Sequence, residues 1–120
     1  MTYATQQALV DRFGELEILQ LTDRDNVGSI DAEVVASALA DADELIDSYI
    51  AARAALPLAT VPERLVRVAG DIARYFLHAA APTEQVRTAY KDSLTWLRDV
   101  AAGKATLGDD GVTAAGPAAA

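Results

Sequence analysis

Two side-chain stripes at helical spacing, separated by a connector that contains two prolines, limit the fold of this chain more than any other feature. In each stripe the inward positions step alternately by four and three residues, which places them on one face of a helix. The first helix is predicted over residues 31–55, with the inward positions Val35, Leu39, Ala42, Ile46, Tyr49, Arg53 and Leu56. The second has the inward positions Leu65, Ala69, Ile72, Phe76 and Ala79. Pro57 and Pro62 interrupt helical hydrogen bonding between them, so two long antiparallel helices are predicted.

Shorter helices are predicted on either side of this pair. Thr83 is a suitable N-cap for a C-terminal helix that ends at Gly103, and Thr5 and Gly14 bound a short helix near the start of the chain. Residues 15–21 add one or two further turns. Alanine contributes 26 of the 120 residues, which also favours helix. The predicted fold is all-α: a small bundle of two long antiparallel helices, a third C-terminal helix and short N-terminal helices, within one domain over residues 1–103.

Residues 104–120 form a segment rich in glycine and alanine that is predicted to be a flexible tail in the free subunit. It contains little apolar surface to offset the entropy of ordering. Leu107 and Val112 are its candidate contacts with a neighbouring subunit, so the tail is expected to become ordered on assembly.

Charge and composition exclude several classes of protein. The net charge is −8, and it resides in residues 1–60, which hold eleven acidic and three basic side chains. Such a balance disfavours nucleic-acid binding, which relies on clustered cations. There are no cysteines, which removes disulfides and thiolate chemistry. The sequence contains no apolar run long enough to span a membrane and no evident export signal, so a soluble protein synthesised in the cytoplasm is expected.

One segment partly matches a calcium-binding loop. Residues 23–34 have acids at the first, third and ninth positions and Gly28 at the sixth, but Val27 and Val34 occupy two ligand positions. The sequence therefore predicts a turn in which Gly28 has a positive φ and Ser29 or Asp31 caps the following helix. No metal site or cofactor is expected.

Catalytic residues are also not evident. His78 is the single histidine, and its position near a helix end favours an interaction with the helix dipole over catalysis. Four acids of the first long helix are interpreted as a solvated face or one that meets basic partners: Asp41, Asp43, Glu44 and Asp47. We expect no enzyme activity.

The candidate functional residues are those of a subunit interface. Arg53 lies in an apolar stripe, and Arg67 and Arg74 are seven residues apart on one helix face. Either they pair within the chain, with acids such as Asp47, Asp71 or Asp43, or they contact another subunit. Trp96 lies one position off the inward face of its helix. The complete candidate set is Arg53, Arg67, Arg74, Trp96, Leu107 and Val112.

A combination of short segments resembles a family of small morphogenesis proteins of Mu-like phages and prophages. The segments are Met1-Thr2-Tyr3-Ala4-Thr5, Phe13-Gly14, Leu21-Thr22-Asp23, Ile30-Asp31, Ala38-Leu39, Asp41-Ala42, Ile46-Asp47-Ser48-Tyr49, Leu56-Pro57-Leu58 and Asp71-Ile72-Ala73-Arg74-Tyr75. The family is similar in size and helical plan to head–tail connector and head-completion proteins. The resemblance implies a virion protein that forms a ring, typically twelvefold, with itself, a portal protein and a tail-terminator or neighbouring neck protein as partners.

Two hypotheses of different classes follow. The first is a ring-forming structural protein at the head–tail junction, in the neck of the virion. The alternative is a small soluble helical interaction or regulatory protein encoded by a prophage. Neither requires a membrane or sequence-specific nucleic-acid binding.

Overall fold

A computed structural model describes residues 2–78 and 81–107, and every regular element in these two ranges is an α-helix. The helices are α1 (Gln6–Phe13), α2 (Glu15–Thr22), α3 (Ala32–Ile50), α4 (Glu63–His78) and α5 (Glu84–Ala101). The prediction of an all-α fold is confirmed. Ala79 and Val112, named above, lie outside the described residues.

Helices α3, α4 and α5 form the body of the subunit. Arg64 near the start of α4 lies over the ring of Trp96 near the end of α5, and Tyr75 later in α4 stacks on Tyr90 earlier in α5. These two contacts show that α4 and α5 are antiparallel. The end of α3 meets the end of α5, so α3 also runs opposite to α4.

The two predicted stripes form the core where these helices meet. All of the following are almost completely inaccessible to solvent: Val35, Leu39, Ala42, Ile46, Leu65, Ala69 and Ile72. Tyr49 and Phe76 are partly buried and pack against the edge of this core. Burial of apolar area in this cluster is the main term that holds the three helices together.

Helix α3 ends at Ile50, which is five residues before the predicted end. Residues 51–54 continue as a turn in which the amides of Arg53 and Ala54 both donate to the Ile50 carbonyl, at 2.8 and 3.0 Å. Leu56, assigned to the apolar stripe by its spacing, is exposed. Pro57 keeps Leu56 out of the helix, because the residue before a proline is disfavoured in helical conformation, whereas the end at Ile50 coincides with the turn at residues 51–54.

Helices α1 and α2 are joined through Gly14, which has φ of 95° and closes the first helix as predicted. The Thr5 hydroxyl accepts from the amide of Ala8 at 3.1 Å and caps α1. At the end of α2, the buried Thr22 hydroxyl donates to the Ile18 carbonyl and accepts from the Asp31 amide. This second bond fixes the distance between the end of α2 and the start of α3.

Beyond α5, the described part of the predicted tail is ordered against the subunit. Gly103 has φ of 83° and ends the helix as predicted, and the amides of Lys104 and Ala105 both donate to the Asp99 carbonyl. Leu107 is only 4% exposed and belongs to the core of its own subunit. The prediction that Leu107 is free to contact a neighbour is therefore corrected. Its side chain fills the core at the end of α5, and spacing alone did not indicate this.

Candidate subunit interface

Arg74 is committed to contacts within the subunit. Its Nε and Nη2 donate to the two carboxylate oxygens of Glu17 on α2, at 2.6 and 2.9 Å. Its guanidinium carbon lies 4.2 Å from the centre of the Phe13 ring. The Arg74 side chain is 17% exposed, so its assignment to a subunit interface is corrected. Of the two alternatives for Arg74, the structure shows pairing within the chain, but with Glu17 on another helix rather than with one of the acids named from the sequence.

Arg12 joins α1 to α4, and sequence reasoning did not identify it as a contact between helices. It donates from Nη1 to the Arg67 carbonyl at 2.8 Å, and its Nη2 lies 2.8 Å from the Asp71 carboxylate. Gly70 makes this approach possible, since a Cβ there would lie 3.3 Å from Arg12 Nη1. Arg12 also lies 4.8 Å from the Phe13 ring centre, on the neighbouring residue. Arginines 12 and 74 thus hold α1 and α2 on α4.

Arg53 binds the C-terminal end of α5. Its Nε donates to the Ala101 carbonyl at 3.2 Å, where the last carbonyls of α5 lack intrahelical partners and the helix dipole is negative. Gly103 has the positive φ that favours glycine, and a Cβ there would lie 2.5 Å from Arg53 Nη2, so the flexible end of Arg53 would have to move. The partner of Arg53 in the structure is thus a backbone carbonyl rather than one of the acids named from the sequence, and its contact with a second subunit stays a prediction.

The first residues of the chain pack on α3. Tyr3 is 3% exposed, its amide donates to Asp43 at 3.0 Å, and its hydroxyl donates to Asp47. Burial, reinforced by the nearby Asp47 carboxylate, raises the pKa of the Tyr3 hydroxyl well above its usual range. Burial also raises the pKa of Asp43. Two of the four acids assigned to a solvated face therefore bind the N-terminal segment instead.

Aromatic side chains cluster between α4 and α5. The rings of Tyr75 and Tyr90 stack with centroids 3.9 Å apart, and Phe76 meets both at an angle. Burial raises the pKa of Tyr90, with smaller contributions from Tyr75 and Tyr49. All four rings are partly buried, as expected for aromatic side chains at the edge of a core.

Arg67 and Trp96 are the two predicted interface residues that remain on an accessible surface. Arg67 lines an open groove of about 340 Å³ between α4 and α5, and the full lining is Arg12, Arg64, Arg67, Val68, Asp71, Ala89, Asp92 and Ser93. We call it the arginine groove. Trp96 adjoins it through Arg64, whose guanidinium carbon lies 4.7 Å from the Trp96 ring centre. Within residues 2–78 and 81–107, neither Arg64 nor Arg67 forms an ion pair.

Every charged residue on the outward surface of α3 is acidic. The helix contains no lysine or arginine, and Glu33, Asp41 and Glu44 are exposed. We call the exposed residues of α3 from Glu33 to Ser48, which include Asp41 and Glu44, the acidic face. Because α3 and α4 bury their apolar stripes against each other, the acidic face and the arginine groove lie on opposite sides of the subunit.

The loop before α3 has the turn structure that the sequence predicted. Gly28 has φ of 88°, and Asp31 caps α3 by accepting from the amides of Glu33 and Val34. Both carboxylate oxygens of Asp23 accept backbone amides, from Val27 at 2.8 Å and from Gly28 at 2.7 Å. In the described part of the chain, no cluster of three metal-ligating side chains occurs.

His78 lies where α2 meets the last turn of α4. Its Nε2 is 3.7 Å from a carboxylate oxygen of Glu17, which already accepts from Arg74. This places the histidine beside an acidic partner from another helix, in addition to the helix end that the sequence indicated.

None of the helices in the described ranges is long and apolar enough to cross a bilayer.

The match to a known family covers nearly the whole chain, including all five helices. The family model described as "Bacteriophage Mu, Gp36" matches residues 3–120. The chain belongs to this family. Among its relatives, "Gene product J" of Escherichia phage Mu is 40% identical over 118 residues, which cover 98% of this chain and 84% of the relative. "Mu-like prophage FluMu protein gp36" of Haemophilus influenzae is 40% identical over 106 residues, covering 88% and 75% respectively.

Family membership confirms the resemblance to Mu-like phage proteins. The chain spans most of the length of both relatives, so the five helices described above represent most of a family member. Both relatives are proteins of a phage or a prophage.

Proposed function

We propose that this protein is a non-catalytic structural subunit of a Mu-like phage or prophage virion that forms a ring at the head–tail junction. Membership of the Mu Gp36 family supports the connection with a phage particle. The similarity in size and helical plan to connector and head-completion proteins supports the position in the neck.

The observation that carries the ring is the placement of exposed charge on opposite sides of the subunit. A ring with cyclic symmetry needs a head-to-tail contact, in which each copy offers two different surfaces that complement one another. The acidic face of α3 and the arginine groove over α4 are such a pair of surfaces. A protein that pairs only through one two-fold contact would need a single self-complementary surface instead.

The ring would have three kinds of partner. Its copies contact one another, while its two rims contact a portal protein on one side and a tail-terminator or neighbouring neck protein on the other.

A gene deletion in a Mu-like phage tests this proposal. Without the protein, heads and tails should both form but fail to join, and the titre should fall by several orders of magnitude. Complementation with the wild-type gene should restore joined particles. Normal infectious particles from the deletion strain would contradict the proposal and favour a regulatory role.

A further inference from the structure

We propose that the arginine groove of one copy binds the acidic face of α3 of the next copy. This inference rests on the proposed ring and assigns the residues of its repeating contact. Arg64 and Arg67 would bind Asp41 and Glu44 of the neighbour, and Trp96 would cover one side of the contact.

The two arginines are available for such a contact. Within the described ranges they form no ion pair, in contrast to Arg12 and Arg74, which have acidic partners on other helices. Trp96 lies against the face of the Arg64 guanidinium, which leaves the edge of that group to donate to a carboxylate. The groove therefore holds two cations with unused donors beside an aromatic ring.

The spacing of the acids matches that of the arginines. Asp41 and Glu44 are three residues apart on α3, and Arg64 and Arg67 are three residues apart on α4. Residues at this spacing lie on the same helix face about 4.5 Å apart along the axis. Small side chains flank the acids on the acidic face, namely Ser37, Ala40 and Ser48, and these allow a second subunit to approach closely.

Charge also disfavours the competing arrangements of two copies. Two acidic faces would repel each other, and so would two pairs of unpaired arginines. Asp92 lies within the groove and partly offsets its positive charge, whereas Asp71, which also lines it, is paired with Arg12. Head-to-tail contact is the arrangement in which every copy places its acids on arginines.

Cross-linking tests the contact directly, because the chain contains no cysteine and each introduced thiol is unique. One variant carries Ala40→Cys on the acidic face and another carries Asp92→Cys in the groove. Mixed at high concentration and low ionic strength, where ion pairs are least screened, they are treated with a short bismaleimide. The control mixture replaces Asp92→Cys by Arg24→Cys, an exposed position in the loop before α3.

We expect the A40C and D92C mixture to give at least fivefold more cross-linked dimer than the control mixture. Adding Arg64→Glu and Arg67→Glu to the groove variant should return the yield to control level. Adding Asp41→Lys and Glu44→Lys to its partner should restore at least half of the lost yield. Circular dichroism and thermal melting of each variant check that the fold is retained.

Two results would overturn the assignment: a yield no higher than the control mixture, or a yield that the arginine reversals leave unchanged. Electron microscopy of the neck separates this failure from failure of the proposed function. If particles contain a ring of this protein but no charge-dependent cross-link forms, only the assigned contact is refuted. Particles that lack the protein altogether would refute the ring itself.

Discussion

The hydroxyl of Tyr3 donates to the carboxylate of Asp47 and so fastens the first residues of the chain to the last turn of α3. Tyr3→Phe would keep the buried ring but leave the partly buried Asp47 without this donor. Loss of a hydrogen bond to a charged group costs about 1.5–3 kcal/mol. We expect the free energy of unfolding in urea to fall by about 2 kcal/mol. Tyr49→Phe removes a hydroxyl from a tyrosine on α3, the helix that contains Asp47, and is the matched control. It should change the free energy of unfolding much less.

The buried environment of Asp43 makes stability depend on pH. Its raised pKa means that the folded protein holds this proton more tightly than the unfolded chain does. Stability is therefore lost as the pH rises through the window that begins near 3.8, the ordinary value, and extends to the raised value. Asp43→Asn keeps an oxygen for the Tyr3 amide and should remove this loss.

Urea unfolding at several pH values between 3.5 and 7, on the order of half a unit apart, checks this effect. The wild type should lose more stability across that range than the Asn variant does. Asp41→Asn removes the same charge from an exposed position two residues away and is the control. Parallel pH profiles for the wild type and D43N would show that the Asp43 carboxyl is not perturbed by burial.

The ion pair between Arg74 and Glu17 should contribute measurably to the docking of α2 on α4. Its two hydrogen bonds are partly shielded from solvent, unlike those of surface pairs. In a double-mutant cycle with Arg74→Met and Glu17→Gln, we expect a coupling energy of about 1–2 kcal/mol. Arg67→Met, on the same helix without an ion pair among the described residues, should change stability by less than about 0.5 kcal/mol. A coupling energy near zero would show that packing, including that of the buried Ile18, holds α2 without a contribution from this ion pair.

Leu107 should stabilise the subunit from beyond the last helix. Its side chain is 4% exposed in the core, and truncation of a buried leucine to alanine costs about 2–5 kcal/mol. Leu107→Ala and a stop after Gly103 should both lower the melting temperature by several degrees. A stop after Leu107 should not. If the two truncated proteins melt at the same temperature, Leu107 does not act as a core residue.

The stop after Leu107 also separates stability from assembly. It keeps the folded subunit and removes the segment that contains Val112, which is predicted to contact a neighbouring copy. Poor incorporation of this variant into particles, at unchanged melting temperature, would support that prediction. Incorporation equal to that of the full chain would contradict it.

The helices and their caps were predictable because the signals for them are local. Thr5, Gly14, Asp31, Thr83 and Gly103 all occupy the cap positions that their residue types favour. The apolar stripes of α3 and α4 were also read correctly from spacing. The end of α3 was predicted too late because Leu56 continued the apolar spacing, whereas the helix gives way to a turn after Ile50.

The partners of the arginines were not predictable in the same way. Arg74 pairs with a residue 57 positions earlier, and Arg53 binds a carbonyl 48 positions later. Such pairs depend on how helices are placed side by side, and spacing within one helix carries no information about it. The same limit applies to Tyr3 and Leu107, whose burial depends on which helix their short segments reach.

Cryo-electron microscopy of the head–tail junction in purified particles tests the central claim most directly. The account predicts a closed ring at the neck in which each repeat fits helices α3, α4 and α5, with α3 of one copy facing α4 of the next. The repeat should be absent from particles of a strain that lacks the gene. Intact particles whose neck contains no density for this subunit would contradict the account.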